Sequence, residues 1–275
     1  MTIFSIKTLT QNYSKLLPVN EVRILICNSL GLSHEEFILS QDYLPNNQEM
    51  DQIALAITKR TEGTPISYIT GYKEFYGLDF IVSSATLIPR SETEIIVDEA
   101  LNIISSKDFQ ILDLGTGTGA IAISIAINSG CSVHATDVSQ EALKIAKQNI
   151  VKHEVNHLVT TQISNWFQGI KKKQFDIITC NPPYIAYTDS NIEKNVDKYE
   201  PHLALYSGKT GLECYEIIAK NAGEFLKKNG VIILECGASQ SIEVIRILKE
   251  QDFSIIKLVS DLSSIERTIL AQKIQ

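Results

Sequence analysis

The residues with the clearest chemical potential form the corner Asn181-Pro182-Pro183-Tyr184, which follows a short apolar run at 175–180. Each proline lacks a backbone N–H and has a fixed φ, so the pair ends a strand and forms a stiff turn. Pro182 also favours an extended conformation for Asn181. A primary carboxamide beside an aromatic ring can hold an amino or amide group next to a cation. The corner is therefore a candidate substrate site, and its plainer interpretation is an ordinary proline turn with a packed tyrosine.

A second candidate site is the sequence Asp113-Leu114-Gly115-Thr116-Gly117-Thr118-Gly119, which lies between a predicted strand and a predicted helix. Glycines there allow a tight turn and a close approach of a ligand to the backbone, and the start of the helix offers unpaired N–H groups. Asp137 ends the next predicted strand, where a carboxylate can accept hydrogen bonds from ribose hydroxyls. These positions predict a nucleoside-binding site, with a glycine-rich turn that binds nothing as the alternative.

Two cofactors fit this glycine pattern. Gly115, Gly117 and Ala120 satisfy the relaxed dinucleotide motif, so a nicotinamide-dependent dehydrogenase is one interpretation. The fuller Asp-x-Gly-x-Gly-x-Gly form is typical of S-adenosyl-L-methionine sites. A phosphate-binding P-loop is excluded, since no Gly-Lys-Ser/Thr follows. The corner at Asn181 favours adenosylmethionine, because methyl transfer to nitrogen has a use for an amide acceptor and hydride transfer has none.

Alternating strand and helix patterns from about residue 109 predict the elements that position these residues, in an α/β fold with a mostly parallel sheet covered on both faces. Because the first and fourth strands are predicted to flank the switch in strand order, the glycine loop and Asn181 should face each other across one crevice. Trp166, after the third strand, is then a candidate apolar wall for an adenine ring, or else a core aromatic. Strands are predicted at 111–114, 131–136, 158–163, 175–180, 231–235, 254–259 and 267–272, and helices at 120–127, 140–151, 210–228 and 239–251.

The N-terminal part of the chain has a different texture. Apolar residues, Leu55 among them, recur at helical spacing in 22–30 and 53–57, and Ser33 with Glu36 forms a capping-box pattern. We predict a helical substrate-binding domain over residues 1–70, a hairpin linker over 71–88 and an adenosylmethionine-dependent domain over 89–275. The polar stretch 187–209 is long for an unstructured loop, and such loops are often functional lids.

Composition limits the class of protein. The 275-residue chain has 44% hydrophobic and 21% charged residues, which are globular values. Its net charge of −7 argues against a protein whose affinity comes from neutralising many phosphates. The five cysteines are scattered, which favours reduced thiols over a disulfide or a metal site. No apolar run has the length of a membrane span, and the first residues lack the pattern of a signal peptide, so we expect a cytoplasmic protein without metal or membrane contact.

Taken together, these residues resemble the bacterial peptide chain release factor N5-glutamine methyltransferases. The resemblance covers most of residues 65–270, and the segments that contain Arg90 and Glu200 distinguish this family from other amino-methyltransferases. The chain departs from the family pattern at Ser91, Asn165 and Cys236 and at the turn 263–264, outside the glycine loop and the corner. The matching segments are 69–80, 87–94, 113–119, 137–139, 142–143, 175–176, 181–185, 199–201, 204–205 and 211–212, with Glu235, Gly237 and Gln240.

The resemblance implies a Rossmann-like class I methyltransferase fold with a parallel-dominated, seven-stranded sheet, beside the small helical domain and the hairpin. It implies methyl transfer from S-adenosyl-L-methionine to the side-chain amide nitrogen of the glutamine in a Gly-Gly-Gln tripeptide, with S-adenosyl-L-homocysteine as the product. The partner would be a class 1 release factor, no nucleic acid would bind directly, and we expect a monomer.

The resemblance also assigns roles to residues. Our hypothesis is that Asn181 Oδ1 and the Pro182 carbonyl accept the two N–H groups of the substrate amide, while Tyr184 stacks on its plane or faces the cation. The implied catalytic residues are Asn181, Pro182 and Tyr184, and the implied substrate-binding residues are Asn181, Pro182, Pro183 and Tyr184. The implied cofactor-binding residues are Asp113, Gly115, Thr116, Gly117, Thr118, Gly119, Asp137, Trp166 and Asn181.

Some interpretations stay open at this point. Arg90 and Glu92 either close over the cofactor or form a surface ion pair, and both the helical domain and the stretch 187–209 are candidates for holding the release factor. An alternative function is a nucleic-acid N-methyltransferase acting on adenine or cytosine, which would need a Lys- and Arg-rich target-recognition region and a pocket for a flipped base. Another is a non-catalytic adenosylmethionine-binding protein, which would have no need of an amide acceptor at Asn181.

Overall fold

The computed structural model describes residues 4–171 and 174–274, and this part of the chain divides into two units after Tyr72. The described residues of the first unit form the helices α1 (Ile6–Tyr13), α2 (Val19–Leu30), α3 (His34–Leu39), α4 (Asn47–Thr61) and α5 (Ile66–Thr70). Their core contains Val22, Leu25, Ile26, Ile53 and Ile57. Leu55 lies outside this core and is 56% exposed, because two positions along a helix turn it by about 200° from Ile53.

The predicted capping box is confirmed at the start of α3. The Ser33 hydroxyl accepts the Glu36 N–H at 3.1 Å, and the Glu36 carboxylate accepts the Ser33 N–H at 2.7 Å. Asn46 and Glu49 make the same pair of hydrogen bonds at the start of α4. Both helices therefore begin with local partners for N–H groups that the helix itself cannot satisfy.

The second unit begins in a hairpin and continues as an alternation of strands and helices. The hairpin strands are β1 (Tyr72–Phe75) and β2 (Leu78–Ile81). A short 3-10 helix (Ser91–Thr93) and α6 (Glu94–Ile103) come next, followed by β3 (Gln110–Leu114), α7 (Ala120–Ser129), β4 (Ser132–Asp137), α8 (Gln140–Lys152), β5 (Val159–Ile163) and β6 (Phe175–Cys180). The remaining elements are α9 (Lys194–Tyr199), α10 (His202–Leu205), α11 (Glu213–Ala222), β7 (Leu226–Glu235), α12 (Ser241–Glu250), β8 (Phe253–Ser260) and β9 (Glu266–Lys273).

Seven strands form one sheet in the order β5-β4-β3-β6-β7-β9-β8. β9 is antiparallel to both β7 and β8, and the other pairings are parallel, so the predicted mostly parallel sheet is confirmed. The strand order reverses beside β3, and Leu114 at its end is in register with Cys180 at the end of β6. The glycine loop and the proline corner therefore leave adjacent strands at the same edge, as expected. The predicted domain boundaries at 70 and 88 stay predictions.

The sheet has a hydrophobic core on each face. Alternate residues of the strands point to opposite sides, so Ile111, Ile177 and Ile233 belong to one cluster, while Leu112 and Ile178 belong to the other. A sheet covered on both faces is the expected environment for the near-continuous apolar strands of a parallel fold. Only the loops at the strand ends are then left to bind a ligand.

Two predicted elements differ in the structure. The helix expected over 210–228 ends at Ala222, and β7 already begins at Leu226. The Phe225 carbonyl accepts the Phe175 N–H at 2.7 Å, and Leu226 is in register with Phe175, so pairing with β6 overrides the local helical pattern. The stretch 187–209, expected as an irregular loop, contains the short helices α9 and α10. The helix α6 has no counterpart among the predicted elements.

The turn at 263–264, one of the departures from the family pattern, adopts a conformation that favours glycine. Ser264 has a φ of 62°, although it carries a side chain. The Asp261 carboxylate accepts the N–H groups of Ser263 at 2.8 Å and of Ile265 at 3.0 Å. These local hydrogen bonds offset the unfavourable backbone angle, so the turn is kept without glycine.

In the part of the chain that the structure describes, no helix combines the length and the apolar character needed to cross a membrane. Over the same residues, 4–171 and 174–274, no three His, Cys, Asp or Glu side chains come together as a metal site.

Candidate active site

A cavity of about 330 Å³ lies at the carboxyl edge of the sheet in the second unit. This size is within the usual range for a small-molecule site. Its wall combines the glycine loop, the end of β4, the segment after β5, the corner after β6 and the segment around α10. The residues that line the cavity include Arg90, Thr93, Gly115, Thr116, Gly117, Thr118, Asp137, Asn165, Trp166, Asn181 and Pro183, with Pro201, Leu203, Ala204 and Tyr206 on the α10 side.

The glycine loop presents its backbone to the cavity. Gly117 has a φ of 55°, and a Cβ there would have nothing within 4 Å, so the lining at this point is bare backbone. Its N–H donates to Asp137 Oδ2 at 2.9 Å. Gly119 is not part of the lining, because it caps the start of α7 and packs against Ala146 on α8. The structure therefore brings Gly115, Thr116, Gly117 and Thr118 to the cavity.

Asp113 lies beneath the loop and not in the cavity wall. Its side chain has no exposed surface, and its two oxygens accept the hydroxyls of Thr179 at 2.8 Å and of Thr116 at 2.6 Å. Burial raises the pKa of Asp113 to about 6. Both oxygens are thus engaged with neighbouring strands and loop, so this carboxyl supports the loop and does not reach the cavity.

Asp137 does reach the cavity. Its Oδ2 accepts the Gly117 N–H at 2.9 Å, and its Oδ1 accepts the Ser139 N–H at 2.8 Å. Burial raises the pKa of Asp137, while these backbone hydrogen bonds act in the opposite direction. Each carboxylate oxygen can accept a second hydrogen bond, so the side chain is fixed in place and still able to bind hydroxyl groups.

Trp166 forms another wall of the cavity. It is partly buried and has a φ of 52°, and a Cβ on Gly115 would lie 4.0 Å from its ring. The Ser164 hydroxyl lies 2.7 Å from the Trp166 carbonyl and 2.6 Å from the Gln168 carbonyl, which fixes the turn that carries the indole. Asn165 also lines the cavity, with an exposed side chain.

The proline corner contributes Asn181 and Pro183 to the cavity wall, whereas Pro182 and Tyr184 lie outside it. Tyr184 is partly buried, and its removal from water raises the pKa of its phenol to about 12. Its carbonyl accepts Gln240 Nε2 at 2.9 Å, and a Cβ on Gly211 would lie only 2.5 Å from that carbonyl oxygen. A glycine at 211 and the amide of Gln240 therefore hold the corner from behind.

A buried hydrogen-bond chain orients the Asn181 side chain. Asn181 Nδ2 donates to Thr93 Oγ1 at 3.1 Å, and Thr93 Oγ1 donates to Glu235 Oε2 at 2.6 Å. Glu235 is 2% exposed, and burial raises its pKa to about 7, while the hydrogen bond from Thr93 acts against this rise. Because the amide nitrogen is engaged in this chain, Oδ1 is the atom of Asn181 that is left to accept from a ligand.

Sequence reasoning missed the roles of Thr93 and Glu235. In the sequence, Glu235 stands out only as a match to the family pattern, and Thr93 only as part of the segment 87–94. The available signal was an acidic residue at the end of the buried run 231–234, at the same sheet edge as Asn181. Such a carboxyl needs a donor, and nothing local in the sequence identifies Thr93 as that donor.

Arg90 lines the cavity and is paired with a buried carboxylate. Arg90 Nη2 lies 2.5 Å from Glu200 Oε1, and Glu200 Oε2 accepts the Ile88 N–H at 3.1 Å. The Glu200 side chain is 2% exposed, so the surface ion pair proposed as one interpretation is wrong for Arg90. Glu92 is partly exposed and accepts a hydrogen bond from Ser91. The two segments that distinguish the family thus meet at Glu200.

Comparisons with known proteins identify the family of this chain. The family model described as "Methyltransferase small domain" matches residues 93–197, and that described as "PrmC N-terminal domain" matches residues 6–71. The release factor glutamine methyltransferase of Agrobacterium fabrum is 36% identical over 260 residues, which are 92% of this chain and 89% of that protein. The chain belongs to the release factor glutamine methyltransferase family. The resemblance found in the sequence is therefore confirmed.

Some relatives are longer than this chain, and solved structures share its fold. The bifunctional methyltransferase of Rickettsia typhi is 39% identical over 275 residues, and this chain spans about half of it, 53% of its length. The crystal structure of the hMettl16 catalytic domain, in complex with a MAT2A 3'UTR hairpin, superimposes with a TM-score of 0.57 over 85% of each chain. At 15% identity that likeness shows the fold alone, which is the class I methyltransferase fold expected from the sequence.

Proposed function

We propose that this protein methylates the side-chain amide nitrogen (N5) of the glutamine in the Gly-Gly-Gln motif of class 1 release factors. Membership of the release factor glutamine methyltransferase family supports this reaction. The observation that carries it furthest is the orientation of Asn181, whose amide nitrogen is held by Thr93 and whose side chain lines the cavity. An amide oxygen in that position suits a substrate that offers N–H groups.

The residues of the cavity fit S-adenosyl-L-methionine. The bare backbone at Gly117 allows close approach, and Asp137 keeps acceptor capacity for ribose hydroxyls. Gly115, Thr116, Thr118 and Trp166 complete the part of the wall that would hold the cofactor. When bound, adenosylmethionine supplies a methyl group from a positively charged sulfonium and leaves as S-adenosyl-L-homocysteine.

The corner after β6 would position the nucleophile. An amide nitrogen is a weak nucleophile, because its lone pair is delocalised into the carbonyl. Asn181 Oδ1 lines the cavity and would accept one of its two N–H groups, which holds the nitrogen at one place and angle. The Pro182 carbonyl, predicted as the second acceptor, belongs to a residue outside the cavity wall and stays a prediction. Orientation of this kind lowers the barrier by several kcal/mol, and acceptors aimed at a developing positive charge add electrostatic stabilisation. Tyr184, which lies behind the corner, would support its shape from outside the cavity wall.

The remaining assignments follow from the reaction. The partner would be a class 1 release factor, and translation would place the encounter in the cytoplasm, with the protein acting as a monomer. A nucleic-acid N-methyltransferase remains the alternative, and the net charge of −7 weighs against it. A non-catalytic adenosylmethionine-binding protein is disfavoured by the buried chain that orients Asn181, since a sensor gains nothing from it.

The decisive assay is methyl transfer from labelled adenosylmethionine to a purified class 1 release factor. The same factor with its glutamine replaced by alanine, duplex DNA and single-stranded DNA serve as parallel acceptors. Label on the intact factor alone is the expected result. Label on DNA alone would move the protein to the nucleic-acid class, and no label on any acceptor despite bound cofactor would contradict the proposed function.

Replacing Asn181 by alanine should abolish most turnover while leaving the cofactor bound. We expect kcat to fall by about 10²–10³-fold, because one precisely oriented acceptor at the reacting nitrogen is lost. The dissociation constant for adenosylmethionine, measured by calorimetry, should change by less than about threefold, since the remaining lining is intact. The matched control is Asn221→Ala, which changes a partly exposed asparagine on α11 outside the cavity wall and should behave as the wild type. Near-normal turnover of Asn181→Ala would contradict the role of Asn181 Oδ1 as the acceptor of a substrate N–H.

A further inference from the structure

We propose that Thr93 and Glu235 are positioning residues for Asn181, which hold its side-chain amide so that the oxygen, and not the nitrogen, faces the substrate. The inference rests on the proposed function, because it concerns how an amide substrate is received. It adds two residues: Thr93, which lines the cavity and contacts Asn181 directly, and Glu235, which is not part of the lining and reaches Asn181 through the Thr93 hydroxyl.

The first step is that the Thr93 hydroxyl has only one proton. Thr93 is 5% exposed, and its oxygen lies 2.6 Å from Glu235 Oε2. A carboxylate is an acceptor without a proton of its own, so the hydroxyl proton goes to Glu235. The Thr93 oxygen is then left as an acceptor, and the group that it meets at 3.1 Å must be the NH₂ of Asn181.

The second step is that this choice decides what faces the cavity. The two ends of a primary amide are nearly the same size, so packing alone does not distinguish them. With nitrogen towards Thr93, the oxygen is presented to the N–H groups of a substrate amide. In the reversed orientation the NH₂ group of Asn181 would face the N–H groups of the substrate amide. Both sides would then be donors without acceptors, and the substrate would bind more weakly.

The third step is that a charged acceptor makes the orientation strong. Hydrogen bonds to a carboxylate are shorter and stronger than bonds between neutral groups, and the low dielectric of a buried site strengthens them further. Because the Thr93 hydroxyl donates to this carboxylate, its oxygen becomes a better acceptor for the Asn181 amide nitrogen. The amide nitrogen is therefore held towards the interior through one hydroxyl.

The chain can also reverse when Glu235 takes up a proton. A protonated Glu235 can donate to Thr93, which frees the hydroxyl proton for Asn181 Oδ1 and turns the amide around. Burial raises the pKa of Glu235 to about 7, so the reversal falls within an accessible pH range. Several charged and titratable groups lie close enough to interact electrostatically with Glu235. They are Arg267 on β9, Glu92 in the 3-10 helix, Cys180 at the end of β6, Tyr184 in the corner after β6, Tyr215 on α11 and the adjacent Cys236.

The kinetic test compares Thr93→Val with Thr93→Ser in the full chain. Valine keeps the shape and removes the hydroxyl, whereas serine keeps the hydroxyl. We expect Thr93→Val to lower kcat by about 10–100-fold, with the dissociation constant of adenosylmethionine within about threefold of wild type, and Thr93→Ser to stay within about threefold in both. Turnover of Thr93→Val at the wild-type level, an equal loss in Thr93→Ser, or a parallel loss of cofactor affinity would each overturn the inference.

A spectroscopic test does not depend on turnover. In ¹⁵N and ¹³C NMR, the side-chain amide of Asn181 and the carboxyl of Glu235 should titrate together with one midpoint near pH 7 in the wild type. The coupled change at Asn181 should vanish in Thr93→Val and remain in Thr93→Ser, with Asn181→Ala identifying the amide signal. An Asn181 amide that ignores the Glu235 titration would overturn the inference. If the wild type methylates no release factor, the proposed function fails, and this measurement still decides the positioning role.

Discussion

At the scale of single residues, the candidate site depends on where each carboxyl finds its donors. Asp137 accepts two backbone N–H groups and still lines the cavity, whereas Asp113 gives both oxygens to threonine hydroxyls beneath the loop. Both belong to the cofactor-binding residues predicted from the sequence, Asp113 as the first residue of the glycine motif and Asp137 as the residue that ends the next strand. Only the direction of each side chain separates a residue that can contact a ligand from one that supports the loop.

Replacing Glu235 by glutamine should change how stability depends on pH. Burial raises the pKa of Glu235 from an ordinary 4.5 to about 7, so the folded chain holds the proton more tightly than the unfolded chain. This carboxyl therefore favours folding below about pH 4.5, and the contribution is lost as the pH rises through about 7. Relative to Glu235→Gln, the wild type should lose up to about 1.4 kcal/mol of unfolding free energy per pH unit within that window.

Urea unfolding of both proteins between pH 4 and pH 8 measures this difference. The comparison with Glu235→Gln cancels the other titrating groups, such as His153, whose pKa is lowered by burial and whose effect has the opposite sign. Two curves that stay parallel across the whole range would show that Glu235 is not protonated more readily in the folded state.

At the scale of elements, the segment that carries α9 and α10 forms one side of the cavity. Ile185 donates to the Leu205 carbonyl at 3.0 Å and accepts from Ser207 at 2.8 Å, which ties the chain after the corner to the end of α10. Glu200, between the two helices, reaches Arg90 and the Ile88 N–H. The polar composition of this stretch suggested a loop, but its ends are fixed by backbone hydrogen bonds and a buried carboxylate.

Replacing Glu200 by glutamine should destabilise the protein more than a matched change at an exposed ion pair. A glutamine can satisfy only one of the two groups that Glu200 accepts, so a buried donor is left unpaired, and we expect a loss of about 1–3 kcal/mol. The control is Glu243→Gln, which removes a carboxylate from an exposed pair with Arg246 and should cost less than about 0.5 kcal/mol. Equal unfolding free energies for the two variants would show that the Glu200 pair has no special weight.

At the scale of the whole molecule, the two units have separate hydrophobic cores, and the cavity belongs to the second unit. The helices of the first unit pack around Ile26 and Ile53, and the sheet of the second has a cluster on each face. The residues that line the cavity run from Phe75 to Cys214, so they belong to the second unit. Cofactor binding should therefore be a property of the second unit, and a role of the first unit in binding the protein substrate stays a prediction.

A chain that begins at Gly71 and keeps the hairpin should bind adenosylmethionine as well as the full chain does. We expect the dissociation constant to stay within about threefold, because no lining residue is removed, while KM for a release factor rises by at least about tenfold through loss of contacts outside the cavity. Calorimetry and the methyl-transfer assay measure the two quantities, with circular dichroism as the check on folding. A folded short chain with the KM of the full chain would remove the substrate-binding role of the first unit.

The strands of the large sheet, the glycine loop, the proline corner and the family could all be predicted from the sequence. These are local features, because period and turn residues act within a few positions, and the match to the family pattern is carried by contiguous segments such as 87–94 and 181–185. The helix predicted over 210–228 failed where its last residues pair with β6, since a partner strand distant in the chain overrides local propensity.

The hydrogen-bond partners at the site became known from the tertiary structure and not from the sequence. Thr93 and Glu235 are 142 residues apart, and Arg90 and Glu200 are 110 apart, so no local spacing links them. Glu235 ends β7, which lies beside β6, the strand that leads to Asn181, whereas Thr93, Arg90 and Glu200 lie in segments outside the sheet. In the folded chain the Asp113 side chain is buried beneath the glycine loop, whereas the Asn181 side chain lines the cavity. A hydrogen bond depends on distance and direction in the folded chain, and those are set by strand order and burial, which residue types alone do not specify.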